Sequence, residues 1–569
     1  MIALIAQRLQ WRRILLEILP VVVVVAGALI VLAQMSSTLW SANLLYNGDS
    51  LVLPLVYRSI VAGEPFDWVF SSQLFLFPEM LIYSIIAFIV NDPRLAILVN
   101  GIVNIFILYL FFRIISRVSL GRLRRQLLEI SVSLGMVGLF LFFCVLEPHP
   151  DINGSTVASL YFFNTYYQGI IIVGLAVVAL TIWIFRGFRR AFCGGTRAVG
   201  YSIAAGLTTF AVVLCDPLYL LQVTVPLVLT LVVMWFARYL SPRGFVLLLG
   251  VNLGAALLGV WARRFVTQFL AVDVDRYIDS NNIPASIELL SSTLTKMLTT
   301  QDGHLKMILW GGVVIFTVFF FVYALFVQNR PALRRTVSGT EFFLTAFSTM
   351  SLLTMLVGFV ATGSLTTRYL LPLFIFPLLA AIPVIIRLLR LVMVNLPSSR
   401  YRLAARRCGR SISAAVVIMV IVLGAVSTPP VVTVARGDDY VGARCFNEIV
   451  GNRQESGVGS FWITRQWEVY GAHRGDVLQV QQDLSVYPWM INLSSYTGKR
   501  FSYVIVDQWG FVSKQSIESL GKPAAATVCG DFTIYDYAGT PGEEILTQKV
   551  ESSVAAKMAR RGFTSPSPR

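Results

Sequence analysis

The sequence predicts a polytopic α-helical membrane protein with about eleven spans, followed by a C-terminal α/β domain. Hydrophobic residues make up 56% of the chain and charged residues only 13%, whereas soluble domains carry roughly a quarter charged residues. Apolar runs recur up to residue 428, and a spanning helix needs about 20 such residues. Beyond residue 428 the apolar runs are short, and 14 Lys and Arg balance 14 Asp and Glu.

The charges flanking the spans predict the orientation. The predicted spans lie near 14–35, 94–113, 128–146, 168–186, 199–215, 218–237, 244–262, 306–327, 341–362, 369–387 and 412–428. The six predicted cytoplasmic pieces hold 24 Lys and Arg and no acid, whereas the predicted outer loops 36–93, 147–167, 263–305 and 363–368 hold six. Cytoplasmic loops are enriched in Lys and Arg, so the N-terminus is predicted inside and residues 429–569 outside. The net charge of +16 is then orientation charge, and no nucleic-acid partner is expected.

The first apolar run is too long for the 7–15-residue core of a secretory signal and has no clear cleavage site, so it is interpreted as an uncleaved helix. In the long loop that follows, 79–91 is apolar but too short to span. If it were a span, the basic residues from Arg113 to Arg125 would lie outside, against the preference of Lys and Arg for the cytoplasmic side. The segment is therefore predicted to lie in the outer leaflet. Short cytoplasmic loops and an uncleaved first helix suit a protein of the bacterial plasma membrane.

The chain divides into three predicted parts. Residues 1–428 form the transmembrane module, 429–550 an extracytoplasmic α/β domain, and 551–569 a polar, disordered tail. In the domain, 501–506 and 532–537 resemble strands, and 461–470 resembles a helix. Its two cysteines, Cys445 and Cys529, are expected to form a disulfide in an oxidising compartment; the alternative is two buried thiols.

Candidate catalytic residues are the few acids near the predicted outer face. Asp49 lies about a dozen residues past the first span, where partial burial would suit a general base. The alternative is an ordinary helix cap. For Glu79, at the start of the short interfacial helix, the simpler interpretation is an N-terminal acid favoured by the dipole of that helix.

A second group follows the third span in Glu147-Pro-His149-Pro-Asp151. Two carboxylates and an imidazole would suit a divalent cation or a sugar, but a solvated loop is the simpler interpretation. The metal is therefore unknown, a divalent cation is left open, and no other cofactor is predicted.

Basic residues on the predicted outer side could bind a phosphate. Arg368 lies at the edge of a span that is otherwise uncharged, and an arginine can hold phosphate bidentately. The alternative is a side chain that snorkels to the interface. Arg58, Arg263 and Arg264 are weaker candidates of the same kind.

The first 150 residues and the region around 360–375 resemble GT-C-type glycosyltransferases that use polyprenyl-phosphate sugars. The resemblance rests on the order of one span, a long outer loop with an early acid, and a Pro-initiated helix in Phe77-Pro78-Glu79. The later Thr367-Arg368-Tyr369-Leu370-Leu371-Pro372 is similar to an outer-loop motif of the same family.

The resemblance implies a sugar transferred from a polyprenyl phosphate at the outer face to a glycan, lipid or protein acceptor of the cell envelope. It implies that Asp49 is the general base and that Arg368 neutralises the departing phosphate. A second acid, Glu79 or Asp151, would orient the acceptor or bind a cation, with His149 beside it.

Two other functions are compatible with the sequence. A transporter or flippase of lipid-linked envelope precursors predicts polar residues at mid-membrane depth, of which Glu17, Asn100 and Asn104 are the main examples. A non-catalytic envelope assembly protein would use the outer domain to bind a partner, through tryptophans at 462, 467, 489 and 509.

Overall fold

The computed structural model describes residues 2–120, 126–190, 195–272, 278–328, 330, 336–395, 414–437, 442–451, 453–471 and 475–563. The chain divides into two compact units. We call residues 1–38, 99–262 and 275–431 the transmembrane unit, and residues 39–98, 263–274 and 432–569 the composite unit.

Helices long and apolar enough to cross a membrane confirm a multi-pass membrane protein. Within the described residues there are ten: Ile14–Ser36, Pro93–Leu120, Gln126–Val145, Gln168–Arg186, Arg197–Cys215, Pro242–Phe265, Gln301–Gln328, Gly339–Ala361, Thr367–Leu388 and Ala414–Arg436. The remaining predicted span, 218–237, is the shorter apolar helix Leu220–Phe236. Each predicted span therefore has a helical counterpart.

Among the described residues, short helices occur in both units: Ile283–Thr299 belongs to the transmembrane unit, and six others belong to the composite unit. In chain order they are Val52–Val61, Leu81–Val90, Ala443–Val450, Phe461–Tyr470, Lys514–Ser519 and Pro541–Arg561. Leu81–Val90 exposes one apolar face, with Leu81, Ile85, Phe88 and Ile89 each more than half accessible. This pattern suits the interfacial helix predicted over 79–91.

Within the part of the chain that the structure describes, seven strands form two sheets, all in the composite unit. They are β1 (Trp68–Val69), β2 (Ser456–Gly459), β3 (Val477–Gln479), β4 (Ile491–Asn492), β5 (Phe501–Asp507), β6 (Ala525–Cys529) and β7 (Phe532–Asp536). The larger sheet has the order β3-β2-β5-β7-β6. Strands β3, β2 and β5 are parallel, and β7 and β6 complete the sheet in antiparallel register. The predicted α/β domain is therefore confirmed.

The domain division differs from the one expected from the sequence. The first long loop belongs with the C-terminal domain rather than with the transmembrane module, because β1 pairs with β4 and Phe70 pairs with Leu270. Only 275–305 of the second predicted outer loop belongs to the transmembrane unit.

The prediction of a disordered tail from residue 551 was wrong for 551–561, which end the helix Pro541–Arg561. Leu546, Val550, Val554 and Met558 are buried in the domain core. Their four-residue spacing forms one apolar stripe on the helix, which explains why a polar segment folds. Residues 564–569 lie outside the described part of the chain.

A disulfide joins Cys445 to Cys529, whose Cα atoms are 5.7 Å apart. It links the helix Ala443–Val450 to the end of β6. The pairing expected from the sequence is the one present.

Candidate functional site

Asp49 lies in a loop whose conformation is set by its own side chains. The amide of Asp49 donates to Asn47 Oδ1 at 2.8 Å, and Ser50 Oγ donates to the carbonyl of Asn43 at 2.9 Å. The following helix begins at Val52 with Leu51 as its N-cap. Asp49 therefore precedes the cap position that the simpler interpretation had assigned to it.

The Asp49 loop is fixed to the helix Phe461–Tyr470 of the C-terminal domain. Tyr470 Oη donates to the carbonyl of Leu45 at 2.9 Å, and the Tyr46 and Tyr470 rings meet edge to face. Gly48 packs so closely that an added Cβ would lie 2.7 Å from Phe461 Cε1. The loop is thus held by contacts with residues more than 400 positions away.

A buried arginine on the same helix acts electrostatically on Asp49. Arg465 is completely buried, and its Nη2 donates to Gln479 Oε1 at 3.1 Å. Burial lowers the pKa of Arg465 to about 10, while the negative charges of Glu468 and Asp49 oppose that shift. The positive charge of Arg465 and the negative charge of Asp49 therefore attract each other within the composite unit.

Arg58 and Glu468 form an ion pair in the same unit, with Arg58 Nη2 3.0 Å from Glu468 Oε1. Burial raises the pKa of Glu468, and the charges of Arg58 and Arg465 lower it. Arg58 thus already has a carboxylate partner, which weakens its candidacy as a phosphate ligand. Arg264 is exposed, whereas its neighbour Arg263 is buried and donates to the carbonyl of Ser72 at 2.8 Å.

Glu79 is buried on the turn Leu76–Met80 that opens the helix Leu81–Val90. A cavity of 310 Å³ lies between this helix and Val52–Val61, with mainly apolar lining side chains and with Arg58 and Asp92 at its polar part. Its lining suits an apolar chain that carries a polar head group.

In the transmembrane unit, the predicted sugar or cation site is an ion-paired loop. Glu147 accepts hydrogen bonds from the amides of Val157, Ala158 and Ser159, at 2.7–3.0 Å. It also pairs with Lys306, and both side chains are almost fully buried. The carboxylate therefore fixes the start of the short helix Ala158–Phe162.

Asp151 has a lysine partner as well. Lys296 Nζ lies 2.8 Å from Asp151 Oδ2, and Ser155 donates to the same oxygen through both its amide and its hydroxyl. Burial would raise the pKa of Asp151, but the bonds from Lys296 and Ser155 outweigh it and hold this pKa below its usual value. His149 is exposed. Among the described residues, no group of three or more His, Cys, Asp or Glu could hold a metal ion.

Arg368 lies beside aromatic rings at the start of the 3₁₀ turn Thr367–Phe374. Its guanidinium carbon is 5.8 Å from the ring centres of both Tyr166 and Tyr369. Burial raises the pKa of the neighbouring Tyr167. The positive charge of Arg368 lowers this pKa, and the negative charge of Asp216 raises it. Arg368 therefore belongs to a cluster with three tyrosines and one acid.

Thr366 and Thr367, which precede Arg368, are bonded to the ion-paired loop. Thr366 Oγ1 donates to Asn153 Oδ1 at 2.7 Å, and Thr367 Oγ1 donates to the carbonyl of Gly154 at 2.6 Å. The structure thus brings Arg368 and the Asp151 loop together within the transmembrane unit. Asp49, Glu79, Arg58 and Arg264 belong to the composite unit.

The sequence analysis missed three charged residues in these sites. Lys306 was expected only at the start of a span, and Asp216 falls in a two-residue turn between predicted spans. Their signal was a charge at the end of an apolar run, which becomes specific only when a partner is known. Arg465 gave no signal, because nothing local distinguishes a buried arginine from a surface one.

No family model and no curated protein matches this chain. Among solved structures it is similar to AglB, an oligosaccharyltransferase from Archaeoglobus fulgidus in complex with an inhibitory peptide and a dolichol-phosphate. The TM-score is 0.41 at 11% identity, over 90% of this chain and 74% of that one. It is also similar to ArnT from Cupriavidus metallidurans bound to undecaprenyl phosphate, with a TM-score of 0.45 at 12% identity, over 92% of this chain and 98% of that one.

Proposed function

We propose that this protein is a glycosyltransferase that moves a sugar from a polyprenyl-phosphate donor to a cell-envelope acceptor at the outer face of the membrane. The proposal rests mainly on the contacts that hold the Asp49 loop in one position. A partly exposed carboxylate sits on a loop fixed by Asn47, Gly48 and Tyr470, near the buried cation of Arg465. Such rigid positioning is what general-base catalysis needs.

The proposed reaction is a single displacement. The acceptor hydroxyl oxygen attacks the anomeric carbon of the donor sugar and gives its proton to the Asp49 carboxylate. The bond between the anomeric carbon and the phosphate oxygen breaks, and the polyprenyl phosphate departs with the electron pair. Attack from the face opposite the leaving group inverts the anomeric configuration.

Arg368 is proposed to stabilise the departing phosphate. A planar guanidinium can hold two phosphate oxygens, and its stabilisation grows as charge develops on the leaving group. The surrounding rings of Tyr166 and Tyr369 limit hydration of the cation, which strengthens its attraction for an anion.

The transporter alternative receives less support. Glu17, one of its polar candidates, is ion-paired with Arg113. Asn100 Nδ2 donates to Asn164 Oδ1 at 2.7 Å, which ties the helix Pro93–Leu120 to the turn before the helix Gln168–Arg190. These side chains have structural explanations that need no transported substrate.

The test uses the full-length protein in liposomes with a radiolabelled undecaprenyl-phosphate sugar and delipidated envelope glycans as acceptors. Release of undecaprenyl phosphate reports donor use whichever acceptor reacts. We expect D49N to lower the rate at least about 100-fold, the size of a lost general base. D531N, which alters an exposed acid in the β6–β7 turn, should leave the rate unchanged. A D49N rate near that of the wild type, at equal protein level, would refute the assignment.

A further inference from the structure

A second cavity lies in the C-terminal domain, away from the apolar cavity beside the interfacial helix. It measures 510 Å³ and is lined in part by Phe461, Trp462, Tyr487 and Phe511. Trp462 and Phe511 are each 42% exposed, although large aromatic side chains gain free energy from burial. Exposed rings around a concave site mark a binding site for a partly apolar ligand.

The topology places this cavity at the carboxyl edge of the parallel strands. Ser460 follows β2, Gln481 follows β3, and the loop that carries Phe511 follows β5. From β2 the chain crosses to β3 on one side, while β5 neighbours β2 on the other. In open α/β sheets, ligands bind outside the carboxyl ends of the strands where the connections diverge in this way.

Hydrogen bonds fix the walls of the cavity. Ser460 Oγ donates to Asp507 Oδ2 at 2.6 Å, and Asp507 Oδ1 accepts from the amides of Trp509 and Phe511. The Phe461 and Tyr487 rings stand edge to face, with an interplanar angle of 89°. A preformed site of this kind needs little ordering when a ligand binds.

We propose that this cavity binds an oligosaccharide. The C–H face of a sugar ring carries positive partial charge and packs on the negative face of an aromatic ring. Exposed Gln481, Gln482 and Asp483 supply amide and carboxylate groups for the sugar hydroxyls. The cavity therefore offers both surfaces that a sugar needs.

The charge of the lining distinguishes a sugar from a nucleotide, which would also stack on aromatic rings. Asp483 is the only charged residue among the lining residues that the structure describes. Burial acts to raise the pKa of Asp483, but hydrogen bonds from Ser485 and the charge of Lys549 give a net lowering, so the carboxylate is ionised at neutral pH. A negative charge repels phosphate, whereas a neutral sugar can donate hydrogen bonds to it.

The Phe461 side chain contacts both the cavity and the Asp49 loop. Phe461 lines the cavity and also packs against Gly48, the residue before Asp49. A bound glycan chain could thus lead towards the general base, which makes the oligosaccharide the acceptor. This last step rests on the proposed function, whereas binding itself does not.

The test measures binding to the full-length protein in nanodiscs, by saturation-transfer NMR and calorimetry. The probes are α-1,6-mannohexaose, α-1,5-arabinohexaose and chitohexaose. We expect at least one to bind, and W462A to weaken that binding about tenfold. W509A is the matched control, because Trp509 is 68% exposed but does not line the cavity. Non-specific adhesion to aromatic rings would affect W509A more than W462A.

Two further measurements sharpen the outcome. D483A alters an exposed residue and should also weaken binding, which guards against a folding defect in W462A. D49N should bind as the wild type does, so a failed transfer proposal and a failed binding proposal give different results. Absence of binding by all three probes, equal losses in W462A and W509A, or preferential binding of a proline-rich peptide would overturn the inference.

Discussion

Arg58 holds Glu468 at two points, through the carboxylate at 3.0 Å and through the main-chain carbonyl at 2.6 Å. The two residues are 410 positions apart, and both belong to the composite unit. Arg58 is half exposed, whereas Glu468 is largely buried. The pair therefore ties the first long loop to the C-terminal domain through a carboxylate that burial disfavours in its charged form.

This pair predicts a pH-dependent stability. Because burial raises the pKa of Glu468 from 4.5, the folded state binds a proton more tightly than the unfolded state. The stabilising contribution of Glu468 is present below pH 4.5 and is lost as the pH rises through the raised pKa. R58Q removes the charge that opposes the shift, so it should destabilise the protein by about 1–3 kcal/mol more at pH 8 than at pH 5.

Thermal unfolding of the solubilised protein at the two pH values measures this difference. The double variant R58Q/E468Q has no carboxylate to titrate and should show no extra loss at pH 8. An equal loss of stability in R58Q at both pH values would contradict the prediction.

The buried pair of Lys306 and Glu147 predicts a large effect in the transmembrane unit. K306M leaves Glu147 buried without its cation, which should destabilise the protein by about 3–5 kcal/mol. The control is K296M, because the Lys296 bridge to Asp151 is largely exposed and such bridges contribute about 0–1 kcal/mol. Unfolding temperatures of the two variants test the contrast, and similar temperatures would refute it.

Replacing Gly48 by alanine should lower activity although no catalytic group is removed. In G48A the added Cβ would lie 2.7 Å from Phe461 Cε1 and 2.9 Å from the Phe461 carbonyl, so the loop that carries Asp49 must move. A displacement of 1 Å can cost about 100-fold in rate, and we expect kcat to fall while the protein level stays normal. G311A is the control, since an added Cβ there meets nothing within 4 Å. A wild-type kcat in G48A would show that the Asp49 position does not depend on this contact.

The Cys445–Cys529 disulfide tests the predicted side of the C-terminal domain. Its residues are 84 positions apart, and removing a bond that closes such a loop should cost about 2–4 kcal/mol. In intact cells, a membrane-permeant thiol reagent should label Cys445 and Cys529 only after reduction, because a disulfide persists outside the cytoplasm. If the domain were inside, the reducing cytosol would keep both thiols free for labelling. The internal controls are Cys193, between the predicted spans 168–186 and 199–215, and Cys408, between 369–387 and 412–428, because both connections are predicted to be cytoplasmic. Labelling of Cys445 without a reductant would place the domain inside.

The local patterns of the sequence predicted the local structure well. Hydropathy located the spans, and the helix 461–470 was predicted with its observed bounds, because both signals lie within a single segment. The exception was the tail, where four apolar residues at regular spacing were hidden by their charged neighbours.

Non-local features could not be predicted in the same way. The pairing of β1 with β4 joins Trp68 to Asn492, and no periodicity in either segment encodes the other. For the same reason the sequence analysis predicted a phosphate as the partner of Arg58, whose partner in the structure is Glu468. It predicted a metal cation or a sugar for Glu147, whose partner is Lys306. The partner of a charged side chain that is distant in sequence becomes identifiable only in the folded structure.

Arg368 provides the most direct test of the proposed leaving-group role. R368K keeps the charge but loses the bidentate geometry, and R368A loses both. If Arg368 stabilises the departing phosphate, kcat should fall in R368K and further in R368A, by about 100-fold or more, with a smaller change in KM. Arg330, which lies over the Phe326 ring on the predicted cytoplasmic side, supplies the control R330A, which should keep its kcat. A rise in KM alone would show that Arg368 binds the donor equally in the ground and transition states, which would exclude a role in stabilising the leaving group.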